Sequence, residues 1–171
     1  MDTPVEPDGR ITALGNQLIG IHLALREELE QLREELEQLR EDADAWLEGR
    51  GARPRELRAH CLAFCSALTR HHTGEDGGAF PALARQHPEL RPVIEELEHD
   101  HQTVTEILRA VEDLVADEAA VDPARLRAEL EGLTALLESH FAYEEKRLVA
   151  ALNALPAGAG DAESLLGTPG T

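Results

Sequence analysis

The chain has 171 residues, enough for one compact domain with a sizeable core. Its 34 acidic residues against 16 basic ones give a net charge of −18 (16 − 34), which argues against nucleic acid or an anionic membrane as partner, since both would repel it. No apolar run approaches the roughly 18 residues of a membrane span, the opening MDTPVEPDGR lacks the apolar stretch of a signal peptide, and two cysteines make no disulfide scaffold. A soluble, cytoplasmic protein is therefore expected. Aromatic residues are only 3 % while Ala, Leu, Glu and Arg dominate, which points to helices; eight histidines are the unusual feature.

Taken in chain order, residues 1–9 carry Pro4, Pro7 and Gly9 and read as a flexible arm. Four stretches of helical period follow within residues 10–152, separated by GRGARP (49–54), the QHPEL region (86–90) and VADEAAVDP (115–123). Asp122 before Pro123 is a helix-start signal for the fourth stretch. Residues 153–171 are small and rich in Gly and Pro, and read as a disordered tail. No alternating β-branched run occurs, so no sheet is expected.

The apolar stripe of the first stretch runs Leu18, Leu25, Leu29, Leu32, Leu36, Leu39, and that of the second Leu57, Cys61, Phe64, Leu68. The third gives Ile94, Leu97, Val104, Leu108, Val111, Val115, and the fourth Leu126, Leu130, Leu133, Leu137, Leu148. Steps of three and four put each stripe on one helix face. The expected architecture is all-α, an up-down-up-down antiparallel four-helix bundle.

Six positions on those stripes hold polar residues where a leucine would be expected: His22, His71, Glu75, His101, His140 and Glu144. A lone histidine on an apolar face is usually a satisfied core residue. Four histidines and two glutamates interrupting all four stripes are different, because each unpaired buried carboxylate costs several kcal/mol or must be protonated. A cation removes that cost. His-x-x-x-Glu, found at 71–75 and 140–144, sets both side chains about one turn apart on one face, within reach of a shared ion or ion pair.

Depth supports the same grouping. The stretch from His101 to Glu118 is as long as that from Pro123 to His140, which brings these two histidines level in an antiparallel pair. The second and third stretches also match, provided the second continues, kinked, through Pro81. The first hairpin fits less well, because the stretch from His22 to Glu48 is clearly longer than that from Pro54 to His71. Either the first helix, with its tandem EELEQLR heptads (27–33 and 34–40), overhangs the bundle, or its end bends into the loop.

Imidazole with carboxylate suits iron, zinc, copper or manganese, and the want of a thiolate set argues against structural zinc. Six ligands exceed the needs of one tetrahedral ion and fit two, with both glutamates bridging and positions left open for a small exogenous ligand.

The segments HHTGED (71–76), LEHDH (97–101) and HFAYEEKRL (140–148), with His22 upstream, resemble the hemerythrin family, and more closely its bacterial HHE cation-binding domains. The resemblance spans roughly residues 10–152. It implies a four-helix bundle around a non-haem di-iron centre (Fe2+/Fe3+, oxo- or hydroxo-bridged, with manganese or zinc the weaker alternatives) that binds or reacts with O2, peroxide or nitric oxide. The ligands it implies are His22, His71, Glu75, His101, His140 and Glu144. Oxygen carriers of the family have a further histidine one turn from the third-helix ligand, where this chain has Leu97 and Thr105, and an aspartate where it has Glu144. The departures shift weight from reversible O2 carriage to an oxidoreductase or a gas or redox sensor. A second class of reading is a bundle that stores or senses iron, or a helical interaction scaffold without catalysis.

Other residues have plainer expectations. His72 points about 100° from His71 and reads as surface or supporting. Asp100 is a candidate to orient a ligating imidazole. His60 lies too far along its helix to share the centre, and His87 sits in a turn. Tyr143, between the fourth-helix ligands, either donates to a small oxygen ligand or simply packs. Cys61 and Cys65 share one helix face as small core residues. The heptad leucines either continue the core or form a homodimer seam through the first helix.

Overall fold

The computed structural model describes residues 13–41, 53–117 and 121–167, and among them it is helical throughout, with no strand. The four long helices are α1 (Leu14–Glu41), α2 (Arg53–Gly74), α4 (Arg91–Val115) and α5 (Pro123–Asn153). The arm expected over residues 1–9 and most of the GRGARP loop lie outside the described residues. Helix α1 packs on α2 and α5, and α4 packs on α2 and α5, so the four long helices enclose one core. None of the described helices is long and apolar enough to cross a membrane.

Every apolar residue of the four stripes is buried. The heptad leucines Leu29, Leu32, Leu36 and Leu39 are among them, which leaves Leu23 as the exposed large hydrophobic residue of α1. His22 and His71 are level, their Nε2 atoms 3.2 Å apart. The overhang or bend expected of the first helix concerns residues 42–52, which lie outside the described residues. Asp122 caps α5 as its sequence position suggests, its Oδ1 accepting from the backbone N–H groups of Ala124 and Arg125 at 3.1 and 3.2 Å.

Helix α2 does continue toward Pro81, but through a wider turn. Residues Glu75–Ala79 form a π-helical turn, closed by the Phe80 N–H on the Glu75 carbonyl, before α3 (Phe80–Gln86) resumes the α form. Proline lacks an N–H, and its ring would press on the carbonyl four residues back, that of Gly77; a π turn relieves both. The turn begins at Glu75, one of the six singled-out residues.

The tail expected to be disordered is ordered as far as Gly167. After Asn153 a single 3-10 turn (Ala157–Ala159) leads into α6 (Ala162–Leu166). Asp161 and Ser164 form a capping box at its start, and Gly167, in the left-handed region (φ 54°), ends it. Leu165 and Leu166 are buried. This short strap lies against the π turn and α2 at a spacing that only glycines allow. A Cβ on Gly74 would stand 2.4 Å from the Gly167 nitrogen, and one on Gly78 would stand 2.3 Å from the Ser164 carbonyl oxygen.

Candidate metal centre

Helices α1, α2, α4 and α5 and the π turn bring His22, His71, Glu75, His101, His140 and Glu144 together, all buried in the middle of the apolar core. His22 Nε2 lies 3.2 Å from His71 Nε2 and 3.0 Å from Glu144 Oε1. Glu75 Oε1 stands 3.3 Å from His71 Nε2 and 3.5 Å from His101 Nε2. His140 Nε2 is 3.6 Å from Glu144 Oε2.

The rings are held from behind. His71 Nδ1 donates to the Leu166 carbonyl of the strap at 2.6 Å, His101 Nδ1 to Asp76 Oδ1 at 2.8 Å, and His140 Nδ1 to Asp100 Oδ2 at 3.0 Å. A carbonyl or carboxylate can only accept, so these contacts place the proton on Nδ1 and turn each Nε2 lone pair inward. His22 stacks on Phe141 at 3.9 Å, with Glu145 3.7 Å from its Nδ1. Asp100 thus has the orienting position its sequence suggests. Asp76 and the Leu166 carbonyl do the same work, and the sequence reading did not identify either.

His72 is a correction. It does not face solvent: it is buried, stacks on His101 at 3.8 Å, and lies edge-on to His140 at 5.2 Å. Tyr143 takes the packing role of the two its position leaves open: it is half-buried against the core, with its ring 5.8 Å from the Arg147 guanidinium. His60 bridges Glu28 and Glu35 between α1 and α2, at 2.7 and 2.8 Å. Cys61 and Cys65 are free and buried, and burial pushes both thiols up to about 12, which leaves them unreactive.

Two sets of donor atoms emerge, each gathered within 4.8 Å: His22, His71, Glu75 and Glu144, and His72, Glu75, His101 and His140. Glu75 belongs to both. Without a cation the arrangement is costly. Glu75 Oε1, both Glu144 carboxyl oxygens, the Nε2 atoms of His72, His101 and His140, and His22 Nδ1 are buried without a hydrogen-bond partner. Burial, then the neighbouring Glu144 charge, hold Glu75 well above the usual carboxylate range. Burial pushes Glu144 up as well, but the imidazoles of His22 and His140 beside it outweigh that and draw its carboxyl down. Burial also lowers His71, His72 and His140. Donors kept neutral or anionic, with lone pairs converging on two points, fit a pair of cations.

A family model for the hemerythrin HHE cation-binding domain matches residues 16–152. The chain belongs to the hemerythrin family. That match runs from α1 to the last turn of α5 and takes in every buried polar residue among the described ones, so the hemerythrin HHE domain here is a cation-binding bundle whose donors line its core. The strap, residues 161–167, lies beyond the matched segment. No curated protein and no solved structure matches the chain.

Proposed function

We propose that this chain is a di-iron hemerythrin HHE protein that binds or reacts with a small oxidant (O2, peroxide or nitric oxide), acting as an oxidoreductase or as a gas or redox sensor. The four long helices form an up-down-up-down antiparallel bundle around the two ions. His22, His71, Glu75 and Glu144 would hold one ion and His72, Glu75, His101 and His140 the other, with Glu75 shared by both sets and Glu144 reaching from His22 toward His140. The observation that carries this reading is the position of Glu75 Oε1, which faces an imidazole nitrogen of each set. Imidazole and carboxylate donors without a thiolate suit iron, and four protein donors per ion leave open positions for a small ligand. Iron there supplies one-electron chemistry and Lewis acidity to a bound oxidant. The protein's own part is to fix the rings through Asp76, Asp100 and Leu166, to exclude bulk water, and to keep the His71, His72 and His140 rings deprotonated. Burial of the heptad leucines Leu29, Leu32, Leu36 and Leu39 supports their reading as a continuation of the core over a homodimer seam.

Anaerobic loading of the metal-free protein with Fe2+, followed by metal analysis and spectra before and after peroxide addition, tests the proposal. Two irons per chain and a new charge-transfer band on oxidation are expected. Glu75→Gln should weaken both sites, and His140→Ala should leave one iron. A chain that binds no metal, or two irons in Glu75→Gln as tightly as in the wild type, would refute it.

A further inference from the structure

The buried donors are not equally shut away. His72 and His101 line a groove of about 360 Å³ between α2 and α4 that opens to solvent. Their Nε2 atoms have no hydrogen-bond partner. Above them the groove is walled by oxygen-bearing side chains: Thr69, Thr73 and Asp76 from α2 and the π turn, and Glu98, Gln102 and Thr105 from α4. No lysine or arginine lines it.

One other described groove, at Glu35, Gln38, Leu39, Glu56 and Leu57, also lacks lysine and arginine, but none of the buried donors lines it. The remaining two differ in charge. The one between α1 and α5 carries Arg33 and Arg127, and the one beside the strap carries Arg70. On the His22 side of the centre, Arg26 lies 5.2 Å from the Phe141 ring that covers His22, and it is paired to Glu138 and Glu145. On the His71 side the strap seals the ring, with Leu166 buried over it. A cation approaching from either of those sides meets a guanidinium or packed backbone. Over the groove it meets two carboxylates and the field of an acidic protein.

We propose that this groove is the uptake route by which divalent cations reach the centre, with Asp76 and Glu98 drawing in the hydrated ion. The threonine hydroxyls and Gln102 replace its water oxygens one after another, and His72 and His101 receive it. Asp76 Oδ1 is bonded to His101, so this residue links the mouth of the groove directly to the receiving ring. The route serves the set His72, Glu75, His101 and His140 first, and the second set is filled across the shared Glu75. The inference rests on the two-ion reading above.

The test is the rate at which the metal-free chain takes up Co2+, followed by its visible absorption in stopped flow, with final stoichiometry from metal analysis. Electrostatic guidance of this kind contributes about tenfold or more to association at low ionic strength. Thr105→Arg should slow uptake by about that factor and Glu98→Gln by less. Both should reach the wild-type stoichiometry, and added salt should shrink the differences. Glu112→Gln, in the neighbouring groove, should fill at the wild-type rate. If Thr105→Arg does not fold, Glu98→Gln, a change at a partly exposed position, carries the test alone. Filling of the folded groove variants at the wild-type rate would overturn the route while leaving the two-ion centre standing. A wild-type chain that takes up no metal would overturn the centre and the route together.

Discussion

Gly77 and Gly78 are adjacent in the π turn and differ in one respect: a Cβ on Gly77 meets nothing within 4 Å, whereas one on Gly78 stands 2.3 Å from the Ser164 carbonyl oxygen and 2.8 Å from the Leu165 Cα. Both contacts of Gly78 are with backbone, so no side-chain rotation can relieve them. Gly78→Ala must therefore push the strap off the π turn, by about 1 Å to restore ordinary van der Waals spacing. The shift acts in two places. Leu165 and Leu166 lose part of a burial that stabilises by about 1.5–3 kcal/mol per side chain, offset by the conformational freedom the strap regains. The Leu166 carbonyl leaves His71 Nδ1, and a buried ring nitrogen without its acceptor costs about 1–3 kcal/mol. The net expectation for the metal-free protein is a loss of about 1–3 kcal/mol, against a gain of roughly 0.5–1 kcal/mol for Gly77→Ala, where alanine only removes backbone entropy from a helical position. Metal affinity should separate the pair further. Losing the group that orients a ligating imidazole typically weakens binding about 10–100-fold, so Gly78→Ala should lose about that factor and Gly77→Ala none. Urea unfolding of the metal-free chain and Co2+ titration measure both quantities. If the two alanine variants unfold alike and bind alike, the strap is not part of the centre.

Two pH effects of opposite sign should also be measurable. Burial holds His71 down at about 4, against 6.5 for the free group, and lowers His72 and His140 too. The unfolded chain therefore takes up these protons first. The contribution of these rings to the metal-free fold should be full above about pH 6.5 and fall steadily toward pH 4, by about 3 kcal/mol from His71 alone. Glu75, held well above the usual carboxylate range, works against it as pH rises from about 4.5. The window is therefore read in Glu75→Gln, where a flat urea midpoint would contradict the buried, neutral rings. His60 works the other way. Partial burial lowers it, but hydrogen bonds to Glu28 and Glu35 outweigh that and raise it above 6.5. Its contribution is thus full below pH 6.5 and lost as pH rises through the raised folded value, and NMR titration of its ring against a His60→Gln stability profile would show whether the clamp between α1 and α2 exists.

The bundle was legible in the sequence because burial dictates spacing. Leucine every third or fourth residue fixes one face on each of four helices, and all of those leucines are inside. The same logic exposes the six interrupting residues, since a buried carboxylate on such a stripe needs a reason. What periodicity cannot carry is irregular backbone. The π turn at Glu75–Ala79 leaves no mark in the apolar spacing, because the stripe of α2 reaches Glu75 in ordinary α register. Composition hides the strap. Glycine and proline do punctuate residues 153–171, yet Asp161 and Ser164 three apart, two leucines and a terminating Gly167 are a complete short helix with start, core and stop. Its docking site is written in the sequence as well, in Gly74 and Gly78, glycines set inside a helix that has no use for their flexibility.

His72 escapes the sequence reading for a geometric reason. Neighbours in a helix point about 100° apart, so a ligand at 71 argues against one at 72 when direction is measured from His71. The relevant reference is Glu75. Four residues after His71 it lies about 40° to one side of that ring's direction, and three residues after His72 it lies about 60° to the other. A carboxylate between two histidines on one helix can face an ion on each side. The pattern His-His-x-x-Glu therefore describes a bridge and one ring for each of two sets, and the structure gathers the remaining donors accordingly, His22 and Glu144 beside His71, His101 and His140 beside His72. The π turn starts at Glu75 itself, so the helix keeps its ordinary register through both histidines and widens only after the shared carboxylate is in place. Moving that turn one residue earlier would rotate Glu75 away from one of the two sets. The residues that favour the widening, Gly77, Gly78 and Pro81, all follow Glu75, whereas Gly74 before it keeps the α form and serves the strap instead.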